Sequence, residues 1–255
     1  MEWRRVWDRV LCVLYPRRCA GCGCLLPSSE FFCDSCKREI EKAFSPRILE
    51  RESREPGPGG DGDGGFSMVK GACFTYRGPL RRAVLAFKFR HGRLLDRELG
   101  GLLCQGFLRL FGEAGIDGIQ PVPLYGKDQR RRGYNQAALL AEELSRRTGI
   151  PLVAVLEKSR RTPKQHHLDA GQRRMNLRGA FAVPEGRAAA LQGRRILVVD
   201  DVTTTGSTLE ECGRTLLDAG AAQVYGLVLA AAVKAGVDPD FRRAGARTDF
   251  ADSGG

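Results

Sequence analysis

The sequence predicts an α/β fold, in which helices flank a parallel sheet, with a small cysteine-rich unit in front of it. From residue 66 onward, strand-like apolar runs alternate with helix-like periodic segments, the pattern of parallel strands joined by crossover helices. Two Cys-x-x-Cys pairs stand close together before that region. A strand-like run at 195–199 leads into two aspartates and a loop rich in Thr, Gly and Ser, which is typical of a ligand site at a strand end.

The composition fits this class and excludes others. Of 255 residues, 42% are hydrophobic and 28% are charged, which allows a folded core and is too apolar for global disorder. The apolar runs fall well short of the roughly 20 residues that a membrane helix needs, so we expect no membrane span. The net charge of +11 indicates an anionic partner, which could be nucleic acid, a membrane surface or a phosphorylated small molecule.

The first 50 residues are expected to form an amphipathic helix followed by a cysteine-rich knuckle at 17–42. Asp8 and Arg9 interrupt the first apolar stretch, which favours an amphipathic helix over a signal peptide. The chain has nine cysteines, an odd number, six of which crowd the first 36 residues. This usage fits reduced thiols and a metal better than secreted disulfides, so we expect a cytoplasmic protein.

The segment 51–65 holds two prolines and six glycines and is expected to be a flexible linker. An α/β domain should follow at 66–233, and the polar tail at 234–255 should be disordered. Pro79 favours the start of a helix, and Gly149 and Gly220 favour helix ends. The predicted strands are 66–76, 119–123, 152–156, 180–183, 195–199 and 223–231, and the predicted helices are 79–89, 94–111, 135–148 and 207–219.

The knuckle offers the ligand set of a structural zinc site. Cys19 and Cys22 form one Cys-x-x-Cys pair, and Cys33 and Cys36 form a second pair ten residues later. Four thiolates fill a tetrahedral shell and leave no position for water, so such a zinc ion would stabilise the fold and take no part in catalysis. Cys24 could compete with Cys22 for the metal. Redox-active or merely buried pairs are the alternative.

The segment from Arg195 to Leu209 is suited to a phosphorylated sugar. Asp200 and Asp201 directly follow an apolar strand and could hold sugar hydroxyls, directly or through Mg²⁺. The loop then offers backbone N–H groups and hydroxyls at the start of a helix, which suits a phosphate dianion. This loop runs from Thr203 to Thr208. An ordinary strand–turn–helix with an exposed acidic corner is the alternative.

This segment resembles the motif by which type I phosphoribosyltransferases bind phosphoribosyl pyrophosphate (PRPP). The resemblance implies that Asp200 and Asp201 bind the ribose 2′- and 3′-hydroxyls. It also implies that the 5′-phosphate is held by Thr204, Thr205, Gly206, Ser207 and Thr208. It also implies a type I phosphoribosyltransferase-like sheet, with Mg²⁺ bound alongside PRPP.

Two basic segments fit the same resemblance. The first resembles the pyrophosphate-binding loop and holds Lys127, Arg130, Arg131 and Arg132. The second, 158–178, carries a charge of +6 and is similar to the flexible loop that closes over PRPP; its candidate residues are Arg161, Lys164, Gln165, Arg173 and Asn176. With +3 from residues 127–132, these segments account for most of the net charge, which favours a compact polyphosphate ligand. A solvated basic surface is the alternative for each.

Taken together, the motifs resemble the ComF family of bacterial competence-associated proteins, also called GntX-type, over roughly residues 10–232. They are the knuckle, YRGPLRRAVLAFKFRHG, PVPL…RRRGYNQ, RTPKQHHLDAGQRRMNLRGAF and VVDDVTTTGST. The resemblance implies a role in natural transformation, with single-stranded DNA, a helicase-like ATPase and recombination proteins as partners. Two functions follow as hypotheses. One is transfer of phosphoribosyl from PRPP to an unknown acceptor. The other is a non-catalytic adaptor that binds single-stranded DNA and keeps the same fold.

Overall fold

The computed structural model describes residues 17–26, 30–53, 67–88, 94–160 and 177–232. The expected N-terminal helix before residue 17, most of the linker at 51–65 and the tail at 234–255 lie outside these residues. Within them, the α/β prediction is confirmed by a five-stranded sheet with helices on both faces. No helix in the described part of the chain combines the length and apolar character that a membrane crossing needs.

The N-terminal part of the chain joins the sheet directly. Helix α1 (Asp34–Ala43) runs into strand β1 (Phe44–Ser53), which pairs antiparallel with β2 (Ser67–Thr75). No sequence pattern predicts β1, and the linker expected from residue 51 begins later, since residues 51–53 belong to this strand. The reason is that β1 is an edge strand with a largely polar sequence, and Pro46 is tolerated there because an edge strand need not donate every N–H.

The rest of the sheet is parallel. Counting β3 (Gly118–Pro121), β6 (Arg195–Thr203) and β7 (Gln223–Ala231), the whole sheet has the order β1-β2-β7-β6-β3. Strand β6 lies in the middle of this parallel part, paired with β3 on one side and β7 on the other. The carboxyl ends of β3 and β6 therefore meet at one edge of the sheet.

Helices pack on both faces, as the alternation of side chains along β6 requires. Leu197 and Val199 belong to the core shared with α2 (Gly78–Phe87), α3 (Asp96–Phe111) and α5 (Gln136–Thr148). Ile196 and Val198 belong to the core on the opposite face, where α6 (Ser207–Asp218) packs. The buried side chains of the knuckle and of α1 join the first of these cores, so the knuckle is part of the same packed body.

Two local predictions are wrong, and a third is confirmed in an unexpected place. Residues 152–156 form only a single bridge, Ile119 to Leu152, because the side-chain oxygen of Gln120 takes the N–H groups of Val155 and Leu156. The strand predicted at 180–183 is confirmed as β5 (Phe181–Ala182), which pairs with β4 (Glu157–Lys158) outside the main sheet. The expected basic loop after β3 is instead a short helix, α4 (Gly126–Arg132).

Candidate functional site

The acidic corner lies at the carboxyl end of β6. Asp201 is 8% exposed, and Asp200 is half-buried. Each carboxylate accepts the N–H of the next residue, Asp200 from Asp201 at 2.8 Å and Asp201 from Val202 at 2.7 Å. Burial and the neighbouring Asp201 carboxylate raise the pKa of Asp200 to about 7, against the opposing effects of the Asp201 N–H and of Lys88. The corner is therefore a pair of coupled acceptors at a strand end.

Lys88 provides the cation of this corner. It directly follows α2, and its Nζ lies 3.0 Å from Oδ2 of Asp201. The side chain of Lys88 is 30% exposed and that of Asp201 is 12% exposed, so the pair lies at the surface of the site. No local sequence signal points to Lys88, because its partner lies more than a hundred positions along the chain.

The loop that follows the acidic corner has the geometry of an anion cradle. Gly206 has a φ of +83°, in the left-handed region, and directly precedes α6. The Gly206 N–H donates to Oγ1 of Thr203 at 2.8 Å, and the hydroxyls of Thr205 and Ser207 lie 2.9 Å apart. The turn thus brings hydroxyls and the first N–H groups of a helix together, which suits binding of a phosphate.

The basic run at residues 127–132 follows the carboxyl end of the neighbouring strand β3. Pro121 of β3 is in register with Val199 of β6, so α4 leaves the same sheet edge that carries the acidic corner. Lys127 and Arg130 are exposed, and Arg132 donates to Gln136 at 3.0 Å. None of these three side chains pairs with an aspartate of the corner. The fourth residue of the run, Arg131, also lies in α4.

The turn after α4 is fixed to the end of α2. The Tyr134 hydroxyl donates to the Phe87 carbonyl at 2.6 Å, and the two rings are 6.1 Å apart. Asn135 caps α5 by accepting the Ala137 N–H, and it donates to the Val122 carbonyl. The basic helix and the Lys88 end of α2 are therefore held in one arrangement.

The second basic segment leaves and re-enters the fold at the hairpin β4–β5. The residues proposed for it, Arg161, Lys164, Gln165, Arg173 and Asn176, lie outside the described residues. At its base, Ser159 donates its N–H to the Ala180 carbonyl at 3.0 Å. Gly179 donates its N–H to Glu211 of α6 at 2.5 Å. This base is thus tied to the helix that begins at the candidate phosphate loop.

The four predicted metal ligands come together. The Sγ atoms of Cys19, Cys22, Cys33 and Cys36 all lie within 4.8 Å of one another, and those of Cys22 and Cys33 are 3.7 Å apart. Four thiolates bound tetrahedrally at about 2.3 Å from one ion would be about 3.8 Å from each other. The cluster therefore fits a zinc ion.

Hydrogen bonds favour thiolate at Cys19, whereas burial raises the pKa of Cys36 in the same cluster. Burial raises the pKa of Cys19, but N–H groups of Cys33, Cys22 and Gly21 outweigh it and lower the pKa to about 6. Cys24 is exposed and is not one of the four clustered cysteines. Its hydrogen bond with Cys22 raises its pKa to about 12, so it is a poorer source of thiolate than the clustered Cys19.

The cysteine cluster is docked on the start of α2. Arg82 donates through Nε to the Gly21 carbonyl. A Cβ on Gly21 would lie 2.7 Å from Sγ of Cys36 and 2.8 Å from Cβ of Pro79, so the contact leaves room only for glycine. Since α2 has its other end at Lys88, one helix of about 15 Å connects the metal cluster to the acidic corner.

Known proteins resemble this chain in sequence. A model of the phosphoribosyl transferase domain matches residues 132–245. Competence protein F of Haemophilus influenzae is 40% identical over 161 residues, which cover 61% of this chain and 70% of that protein. The DNA utilization protein YhgH of Salmonella typhimurium is 37% identical over 153 residues, or 58% of this chain and 66% of that protein. The matches thus span about two thirds of these relatives.

Solved structures resemble it more loosely. The purine phosphoribosyltransferase of Pyrococcus horikoshii Ot3 is 20% identical, with a TM-score of 0.35 over 56% of this chain and 80% of that one. A superposition of that size supports no functional conclusion. The domain match and the sheet described above are the basis for a type I phosphoribosyltransferase fold.

Proposed function

This chain belongs to the ComF family of proteins with a phosphoribosyl transferase domain, and on that premise we propose that it binds PRPP at the carboxyl end of β6 and transfers its phosphoribosyl group to an acceptor. The observation that carries the proposal is the order of features at the end of the central strand β6. The acidic pair ends the strand, and a glycine with left-handed backbone and the start of a helix follow within a few residues. Carboxylates that can accept hydrogen bonds from sugar hydroxyls are thus followed, within the same short loop, by N–H and hydroxyl groups that can donate to a phosphate.

Each part of the corner has a role in this proposal. Asp200 and Asp201 accept hydrogen bonds from the ribose 2′- and 3′-hydroxyls. The 5′-phosphate lies against the N–H groups and hydroxyls at residues 204–208, where the partial positive charge of the α6 N-terminus is favourable. In the ligand-free state Lys88 balances part of the acidic charge through its 3.0 Å pair with Asp201.

The diphosphate is assigned to the basic side of the site. Lys127, Arg130, Arg131 and Arg132 supply positive charge from α4, which leaves the same sheet edge as the acidic corner. Carboxylate oxygens suit Mg²⁺, which would accompany PRPP and neutralise part of the diphosphate charge. In the transfer, the acceptor forms a bond to C1 of the ribose, the bond from C1 to the diphosphate oxygen breaks, and pyrophosphate leaves with the electron pair.

The biological setting is proposed from the relatives. Their names, competence protein F and DNA utilization protein, associate them with DNA uptake and use. We propose the same setting for this chain, with single-stranded DNA, a helicase-like ATPase and recombination proteins as candidate partners. The cysteine cluster is assigned a structural zinc ion, and its need for reduced thiolates fits the cytoplasm.

Calorimetric titration with PRPP and Mg²⁺ tests the site. The double variant Asp200→Asn, Asp201→Asn is expected to lose PRPP binding while it unfolds at a temperature no lower than the wild type. Asp218→Asn, at the exposed far end of α6, removes a similar charge and is expected to bind as the wild type does. Unchanged affinity in the double variant would contradict the assignment.

Two further assays test which acceptor is used in the reaction and whether single-stranded DNA binds at the same surface. Release of pyrophosphate from PRPP, screened across purine, pyrimidine and amine acceptors, would identify the acceptor class. Titration of single-stranded DNA with and without PRPP would show whether the two ligands share the basic surface. Competition would indicate one shared surface, and independent binding would indicate two.

A further inference from the structure

A buried lysine lies behind the candidate phosphate loop. Lys70 of β2 is 1% exposed, because the alternation along this strand places it on the same face as Met68 and Ala72 of the core. Its Nζ lies 2.5 Å from Oε2 of Glu50 on β1 and 2.7 Å from Oε1 of Glu210 on α6. A buried charge of this kind costs free energy unless it is well paired, and two carboxylates pair it here.

The cluster reaches the loop across the sheet. Lys70 is in register with Gly226 of the adjacent strand, and a Cβ on Gly226 would lie 3.5 Å from Cγ of Lys70, so the lysine stem passes over a residue that has no side chain. A Cβ on Gly206 would lie 3.5 Å from Nζ of Lys70 and 3.5 Å from Oε1 of Glu210. The Glu210 N–H also donates to the Gly206 carbonyl at 3.0 Å. Both charges are therefore next to the backbone that would hold the phosphate.

We propose that Lys70 and Glu210 set the electrostatic strength of the phosphate loop. This inference rests on the proposed function, because it assumes that the loop binds a phosphate. Glu210 brings a negative charge into the first turn of a helix whose N-terminus must attract a dianion, and that charge weakens the site. Lys70 offsets it from a position that solvent does not reach. Lys70 is thus a positioning residue, acting through Gly206 and Glu210.

The proposal predicts effects of opposite sign for the two partners. Lys70→Met leaves two carboxylates uncompensated behind the loop, so phosphate affinity should fall. Glu210→Gln removes one negative charge and keeps Lys70 paired with Glu50, so phosphate affinity should rise. A pair that only stabilises the fold would behave otherwise, since loss of either partner would loosen the same loop and lower the affinity in both variants.

Calorimetric titration of the whole chain with inorganic phosphate and with ribose 5-phosphate tests this. We expect Glu210→Gln to bind both ligands roughly fivefold more tightly, and Lys70→Met roughly fivefold more weakly, as expected for one unit charge close to an anion in a partly screened setting. Lys70→Arg should keep most of the wild-type affinity. Glu98→Gln removes the same charge from an exposed position on α3 and should leave the affinity unchanged.

The outcomes separate this inference from the proposed function. If the wild type binds neither phosphate nor ribose 5-phosphate, the proposed site itself is contradicted. If the wild type binds and Glu210→Gln binds more weakly or equally, the electrostatic role is overturned. Should Lys70→Met fail to fold, Glu210→Gln decides alone, because only the proposed role predicts a gain in affinity.

Discussion

Replacing Asp200 with asparagine is expected to stabilise the ligand-free protein while it removes an acceptor from the proposed ribose site. The reason is the position of this carboxyl at the end of β6, where burial and the adjacent Asp201 disfavour its charged form. Asparagine has nearly the same shape and stays neutral. It therefore avoids the free energy that the ionised aspartate requires in the folded protein.

The size of the effect follows from the pKa. Burial and Asp201 raise the pKa of Asp200 from its ordinary value of 3.8 to about 7. The folded protein therefore holds this proton between about pH 4 and pH 7, where the unfolded chain releases it, and the free energy of unfolding falls as the pH rises through that range. The shift corresponds to at most about 4 kcal/mol at pH 8, and because Asp200 is only half-buried, solvent screening reduces our expectation to about 2 kcal/mol.

Urea unfolding of the wild type and Asp200→Asn at pH 5 and pH 8 measures this difference. The variant should be more stable by about 2 kcal/mol at pH 8, and its advantage should shrink at pH 5, where the folded aspartate is protonated. Titrating groups away from this corner are common to both proteins and cancel. Asp218→Asn serves as the exposed control and should show no such dependence. A variant that is less stable than the wild type at pH 8, or an advantage that does not change with pH, would refute the reasoning.

Three more substitutions test other parts of the account. Gly206→Ala should lower the free energy of unfolding by about 1 kcal/mol, because alanine resists the left-handed backbone there, and should weaken ribose 5-phosphate binding; wild-type values in unfolding and calorimetry would contradict this. Tyr134→Phe removes the buried bond to the Phe87 carbonyl and should cost about 1–2 kcal/mol in urea unfolding, whereas no loss would mean that the bond is dispensable. Cys33→Ser should lose bound zinc in elemental analysis while Cys24→Ser keeps it; equal zinc content would refute the four-cysteine set.

The parts of the fold that local signals specify were predictable from the sequence. The central strand, the turn after it and the start of α6 are encoded within one continuous segment. The ends of α5 were also predictable, because Asn135 caps its start and Gly149 ends it with a φ of +76°. The spacing of the two Cys-x-x-Cys pairs likewise predicts a four-cysteine cluster, and the structure brings all four thiols together.

The parts that depend on distant partners were not predictable. Lys70 pairs with a glutamate 140 positions away, and Lys88 pairs with Asp201, so neither role has a local signal beyond the presence of a lysine in an otherwise apolar strand or at a helix end. Strand β1 escaped prediction because an edge strand carries polar residues. The false strand at 152–156 has the right apolar composition, but the Gln120 side chain takes two of its N–H groups.

Direct calorimetric titration of the wild-type chain with PRPP in the presence of Mg²⁺ tests the central claim, that the β6 edge is a phosphoribosyl pyrophosphate site. We expect a single saturable site. Added ribose 5-phosphate should reduce the heat of PRPP binding, because the two ligands share the acidic corner and the loop at 204–208. No saturable binding of PRPP, or binding that ribose 5-phosphate leaves unaffected, would contradict it.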